Sequence, residues 1–135
     1  MPLPSKILFT DLLKHRVLCD KGLDHGSGLM AWMHPPVHRL LGWVSKPSSL
    51  SLSRDVWRLD QLRGIGSQKI FVKGEPAISD NATLDRLPTL LEADLLCQSG
   101  ERLGAIVDFV FEPISGKILH YLIARTDHRI PGTSR

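Results

Sequence analysis

Residues 95–125 read LLCQSGERLGAIVDFVFEPISGKILHYLIAR. Three apolar runs stand out, residues 95–97, 105–111 and 118–124, rich in Val, Ile, Phe and Leu and separated by polar segments that carry glycine. Such runs between glycine-bearing breaks predict short strands joined by hairpins, and no helix is required. In the middle run side chains alternate across a pleated strand, so Val107, Phe109 and Phe111 are expected on one face and Asp108 and Glu112 on the other. The Phe face is the expected core. Pro113-Ile114-Ser115-Gly116 then reverses the chain, proline interrupting the ladder and glycine offering the conformations a turn needs. In the third run Leu119, Tyr121 and Ile123 share a face opposite His120.

Outward from this stretch, residues 17–22 (VLCDKG) line up with residues 95–100 (LLCQSG), which puts Cys19 and Cys97 at the same point of a repeated strand and turn. Residues 28–33 then fall opposite 104–109, with two extra residues in the first turn. The first copy continues through residues 40–44, a Pro/Ser-rich loop at 46–53, and strands at 56–59 and 69–73. Short helical turns are expected only near residues 10–13 and 60–63. Residues 74–88, GEPAISDNATLDRLP, are polar and carry Pro76 and Pro88, the composition of a linker. The second copy begins near Thr89 and stops at a point matching Ser53-Arg54 of the first, so residues 55–74 have no counterpart in it.

The pattern G-x-x-L-G-x-I-x-D-F-x-F-E-x-x-x-G-x-I at residues 100–118 resembles the opening of a PRC-barrel domain, and DVWRLDQLRGIGSQKIFVKG at 55–74 resembles the closing half of one. That family is a small antiparallel β-barrel found in the cytoplasmic part of the photosynthetic reaction-centre H subunit and in the ribosome-maturation factor. The chain as a whole resembles tandem PRC-barrel proteins of photosynthetic bacteria. The resemblance implies an all-β chain of two small antiparallel PRC-like β-barrel modules. Residues 1–76 would be the first and basic barrel, 77–88 the linker, and 89–135 a second barrel left incomplete at its C-terminal side. An open apolar edge on that second barrel, with Val107, Phe109 and Phe111 short of cover, invites pairing with another copy as a homodimer. The motif consists of turn glycines and core apolars, so it implies a fold and no reaction.

A chain of 135 residues can bury one ordinary core or two very small ones, and modules of about 60 residues need to lean on each other or on a partner. The 42% hydrophobic and 23% charged shares describe a soluble globular protein. No apolar run approaches the ~20 residues of a membrane span. The amino terminus, MPLPSKILFTDLLKHR, is broken by Pro2, Pro4 and charges and lacks the pattern of a secretory signal. A cytoplasmic location is expected, and the resemblance adds a place peripheral to a photosynthetic membrane. In that compartment Cys19 and Cys97 are expected as free thiols. Residues 1–76 hold eleven Lys/Arg against six Asp/Glu, a balance of +5, while residues 77–135 hold six against eight, a balance of −2. Any polyanion binding is therefore expected to be weak, salt-sensitive and confined to residues 1–76, and a merely solvated basic surface accounts for the same balance.

Residues 32–43, WMHPPVHRLLGW, form the most unusual segment. His34 and His38 are four apart, the spacing that puts two imidazoles on one helix face, but Pro35 and Pro36 deny the helix. Only Asp24 and His25 could add ligands, so no metal site is expected. On a structural reading the prolines end a strand at Met33 and turn the chain, leaving Trp32 or Trp43 partly in the core. On a functional reading Trp32, Met33, His34, His38, Arg39 and Trp43 are contact-prone residue types set around a rigid turn. These six are the candidate partner-binding residues. Catalytic candidates are weaker. Asp108 and Glu112 share a face, which suits acid/base chemistry, yet that face is expected at solvent or a rim. Ser27 lies between Gly26 and Gly28 without a phosphate-loop pattern, Gly64-Ile65-Gly66 lacks a third glycine and a following helix, and His120 has apolar neighbours. No catalytic residue, metal or cofactor is assigned.

The expected function is that of a non-enzymatic adaptor docking to a larger protein complex, which the resemblance would place at the photosynthetic apparatus. The alternative is an accessory role in ribosome maturation or RNA processing. Against that alternative stands the second PRC-like copy, where the ribosome-maturation factor carries a different amino-terminal barrel. An enzyme is the third reading.

Overall fold

The computed structural model describes residues 3–47, 53–79, 84, 86, 93–96 and 98–125 of the chain. In order these form β1 (Ile7–Leu8), α1 (Phe9–Lys14), β2 (Arg16–Leu18), β3 (Asp24–His34), a 3-10 turn (Pro35–Val37), β4 (Arg39–Ser45), β5 (Arg54–Arg58), a second 3-10 turn (Leu59–Gln61), β6 (Leu62–Ile65), β7 (Lys69–Val72), β8 (Ala77–Ser79), β9 (Asp94–Leu96), β10 (Arg102–Phe111) and β11 (Ile118–Arg125). The strands lie over the apolar runs that predict them, and α1 and the second 3-10 turn fall where short helical turns are expected. Three strands are additions: β1, β6 and β8.

The larger sheet has seven strands in the order β6-β7-β2-β3-β4-β5-β8, and the smaller has four, in the order β1-β10-β11 with β9 also paired to β10. Neither order returns to its first strand, so neither sheet closes into a barrel. The expectation of two PRC-like β-barrel modules, and the PRC-barrel resemblance behind it, are corrected by this topology. Turn glycines and alternating apolars, which make up the motif, serve an open antiparallel sheet equally well. Strand β3 joins the parts of the larger sheet by changing partners along its length. Its first residues pair with β2 (Arg16↔Ser27, Leu18↔Asp24), and the rest pairs with β4 from Gly28↔Ser45 to His34↔Arg39. Gly26 permits the crossing. It holds φ +80, and a Cβ there would run into Lys46 O. Strand β8 pairs with β5 through Arg54↔Ser79 and Val56↔Ala77, so the first residues of the expected linker 77–88 belong to the larger sheet. Beyond them, only Leu84 and Arg86 of that stretch are among the described residues.

One cluster of buried apolar side chains runs through both sheets. It takes Phe9 and Leu12 from α1, Met33, Leu40, Trp43 and Trp57 from the larger sheet, and Phe109, Phe111 and Ile118 from the smaller. Trp43 and Trp57 stack with ring centroids 6.4 Å apart, and Trp57 Nε1 donates to Ser45 Oγ at 2.9 Å. The cover expected to be missing from the second half comes from the amino terminus. Strand β1 pairs with β10 through Ile7↔Phe111 and Leu8↔Val110, and the Phe9 ring stacks on Phe109 at 4.8 Å and 12°. Phe109 and Phe111 are fully buried. The premise from which a homodimer follows, an uncovered Phe face, is thus met from within the chain.

Strand β10 departs from simple alternation. The register with β11 slips between Ile106↔Ile123 and Asp108↔Leu122, a bulge that places an extra residue at Val107. As a result Val107 leaves the phenylalanine face and is exposed, while Asp108 keeps the face opposite Phe109, across from Leu122, and is buried there rather than at solvent. Asp108 then caps α1. Leu8 sits at the N-cap position and has no side-chain acceptor to offer, and Asp108 Oδ1 accepts from Thr10 N at 3.1 Å while Oδ2 accepts from Thr10 Oγ1. Phe109 N also donates to Asp108 Oδ1, at 2.9 Å.

Candidate functional site

The six residues chosen from residues 32–43 divide between core and surface. Met33 and Trp43 are fully buried, Trp32 is half-buried, and His34, His38 and Arg39 are exposed. The prolines act as the structural reading has it. Pro35 and Pro36 start the 3-10 turn, and His38 ends it in the left-handed region at φ 51. That conformation is uncommon for a residue with a Cβ, and tertiary contacts hold it. His38 O accepts from Ile118 N at 2.9 Å, Leu40 N donates to Gly116 O at 2.7 Å, and a hydrogen bond of 2.7 Å joins His38 Nδ1 and Tyr121 Oη. Arg39 Nη1 adds a bond to Ser115 O at 3.1 Å. Burial raises the Tyr121 pKa. The tip of the β3–β4 hairpin is thus spent on joining the larger sheet to the β10–β11 hairpin. His34 is the residue of the six left most free by this arrangement. Among the described residues, no three His, Cys, Asp or Glu side chains are placed to hold a metal ion.

A more open surface lies on the smaller sheet. Leu103, Ala105 and Val107 alternate along β10 and share one face, and Ala124 stands opposite Ala105 with Leu122 next on that face of β11. None of these side chains is buried, and Leu103, Val107 and Leu122 are 43%, 48% and 38% exposed. The face is apolar over these five residues, and exposed His120, two residues before Leu122 on β11, borders it. Arg125, opposite Gly104, and exposed Arg102 and Glu101 supply charge at its end. The sequence offers a signal for this surface, since both runs carry apolar residues on both faces and are interrupted only by Asp108 and His120. Reading Val107 into the core with the phenylalanines hides it.

The charges of residues 1–76 are largely interspersed. Arg16 pairs with Asp24 at 2.7 Å, Lys21 with Glu75 at 3.2 Å, Arg58 with Asp60 at 3.1 Å and Lys14 with Asp11 at 3.6 Å. The Arg16 hydrogen bond holds the Asp24 carboxyl below its ordinary range. Pairs this exposed contribute little to stability, and each one weakens the pull of the basic excess on a polyanion. No helix among the described residues is long and apolar enough to cross a membrane. Compared with known proteins, the chain matches no protein-family model, and no curated protein matches it significantly.

Proposed function

We propose that this chain is a docking module that binds a partner protein through the outer face of β10 and β11, with no reaction required of that face. The observation that carries the reading is the run Leu103, Val107 and Leu122, apolar side chains left open on adjacent paired strands. Contiguous apolar surface of this kind marks interaction sites on folded proteins. Charge at the rim of the face suits the polar border of an interface. The photosynthetic and ribosomal roles rest on the PRC-barrel resemblance alone, and no feature of this face favours either. The test is capture from native lysate by the whole chain and by a Val107→Lys, Leu122→Lys double variant. Both positions are exposed, so the variant should melt within a few degrees of the parent while losing the captured partner. Retention of the same partner at the same yield would remove the face from the proposal.

A further inference from the structure

On the other sheet, three side chains converge where β2, β3 and β5 meet. Cys19 follows β2 and opens the tight return to β3. Gly22 N donates to Cys19 O at 3.0 Å and Cys19 N donates to Leu23 O at 3.1 Å, with Gly22 at φ +78. This return sets Cys19 beside the start of β3, where His25 is held from two sides. His25 Nδ1 bonds to Asp55 Oδ2 of β5 at 2.8 Å, and its ring stands edge-on to Trp57 with centroids 4.9 Å apart at 83°. Cys19 and Asp55 are buried, and His25 is nearly so. The other imidazole nitrogen, Nε2, is buried and makes no hydrogen bond of ordinary geometry. Cys19 lines the same cavity as His25 and Asp55, and the thiol and the imidazole shift one another. Burial alone disfavours the thiolate, but the contacts with His25 and with the backbone of Leu23 and Lys21 outweigh it and hold the thiol below its ordinary range. Burial also works against the imidazolium, and the contacts with Cys19 and Asp55 outweigh it and raise His25. A loose nucleophile–base contact is common in unliganded sites and tightens on binding.

Thiol, imidazole and carboxylate in this order are a nucleophile, a base and the group that orients the base. A cysteine that merely fills core space needs neither the second group nor the third. The cluster also opens on a cavity of about 310 Å³ whose walls include Leu23, Pro76 and Ile78. Leu23 is 58% and Ile78 73% exposed, so large apolar side chains stand uncovered around the thiol. Lys21 and Glu75, paired with each other, supply the remaining charges of the lining.

We propose that Cys19, His25 and Asp55 form a nucleophilic thiol site that accepts an apolar acyl group from a thioester. Cys19 Sγ attacks the carbonyl carbon, the new S–C bond forms as the bond to the carrier sulfur breaks, and the departing thiolate takes the proton held on His25 Nε2. No oxidant or reductant enters the balance. The acyl tail lies against Leu23, Pro76 and Ile78. The site is independent of the β10–β11 docking face, and either can fail without the other.

The experiment incubates the full chain with the octanoyl or the acetyl thioester of N-acetylcysteamine and follows intact mass, released thiol and the modified peptide. One octanoyl group on Cys19, with the chain's other cysteine, Cys97, unmodified, is the expected result, and octanoyl transfer should outpace acetyl transfer. His25→Gln should slow transfer about a hundredfold, the usual worth of a positioned base, and Asp55→Asn should slow it in the same direction. Equal labelling of the two cysteines, or an unchanged rate in His25→Gln, would overturn the site. Because these variants touch buried groups, a second measurement uses the unaltered protein. The pH profile of iodoacetamide alkylation at Cys19 should have its midpoint below the ~8.5 of a free thiol. A midpoint at or above that value overturns the proposal without any variant.

Discussion

Asp108 shows how one residue changes meaning with its register. Strict alternation along residues 105–111 sends it to solvent beside Glu112, where it reads as raw material for acid/base chemistry. The bulge at Val107 sets it across from Leu122, where it is buried against Thr10 and closes the amino end of α1 from 98 positions away. A buried carboxylate that satisfies helix donors has its lone pairs committed, which explains its place without chemistry. Asp108→Ala should lower stability by about 1–3 kcal/mol in urea unfolding, from the lost cap and the orphaned Thr10 donors. Asp108→Asn, which keeps an acceptor oxygen, should lose less. An Ala variant within about 0.5 kcal/mol of the parent would show that the cap contributes nothing. Cys19 carries the same lesson, because aligning it with Cys97 marks a repeated turn and says nothing of His25 or Asp55.

Among the elements, the hairpins are the repeated unit. Strands β2-β3-β4 and β9-β10-β11 each run as an antiparallel meander, and the aligned glycines Gly22 and Gly100 both take positive φ, at 78° and 89°. What joins the meanders is the contact between the turn at His38 and the turn at Gly116. Gly116 holds φ +79, and a Cβ there would run into Leu40 O. Gly100 offers the matched comparison, with φ +89 and nothing within 4 Å of an added Cβ. Gly100→Ala should therefore pay only backbone strain of about 1 kcal/mol, and Gly116→Ala should lose clearly more because the two hairpins must part. Thermal melts of the two variants decide it, and equal losses would show that the junction adds no stability. Helix α1 belongs to the same set of joints. Its Phe9 fills the face of β10 that a hairpin alone leaves bare.

For the whole molecule, a core shared by both sheets predicts a single cooperative transition. All three tryptophans, Trp32, Trp43 and Trp57, lie in the larger sheet, so their fluorescence reports on that sheet while far-ultraviolet circular dichroism reports on both. The two midpoints in urea should coincide, and well-separated midpoints would restore two independent modules. Residues 95–125 by themselves determine strand-rich structure, the places of the hairpins and the glycine turns, because alternation, β-branching and positive φ are properties of neighbouring residues. The same local signals are shared by open sheets and closed barrels, so closure is not written in them. Only the tertiary structure decides that the amino-terminal Ile7 and Phe9 complete the carboxyl-terminal sheet, that Val107 is exposed and Asp108 buried, and that Cys19, His25 and Asp55 meet around a cavity. Each of these depends on which strand lies beside which and in what register, and pairing between distant segments is chosen by burial across the whole core rather than by the residues of either segment alone.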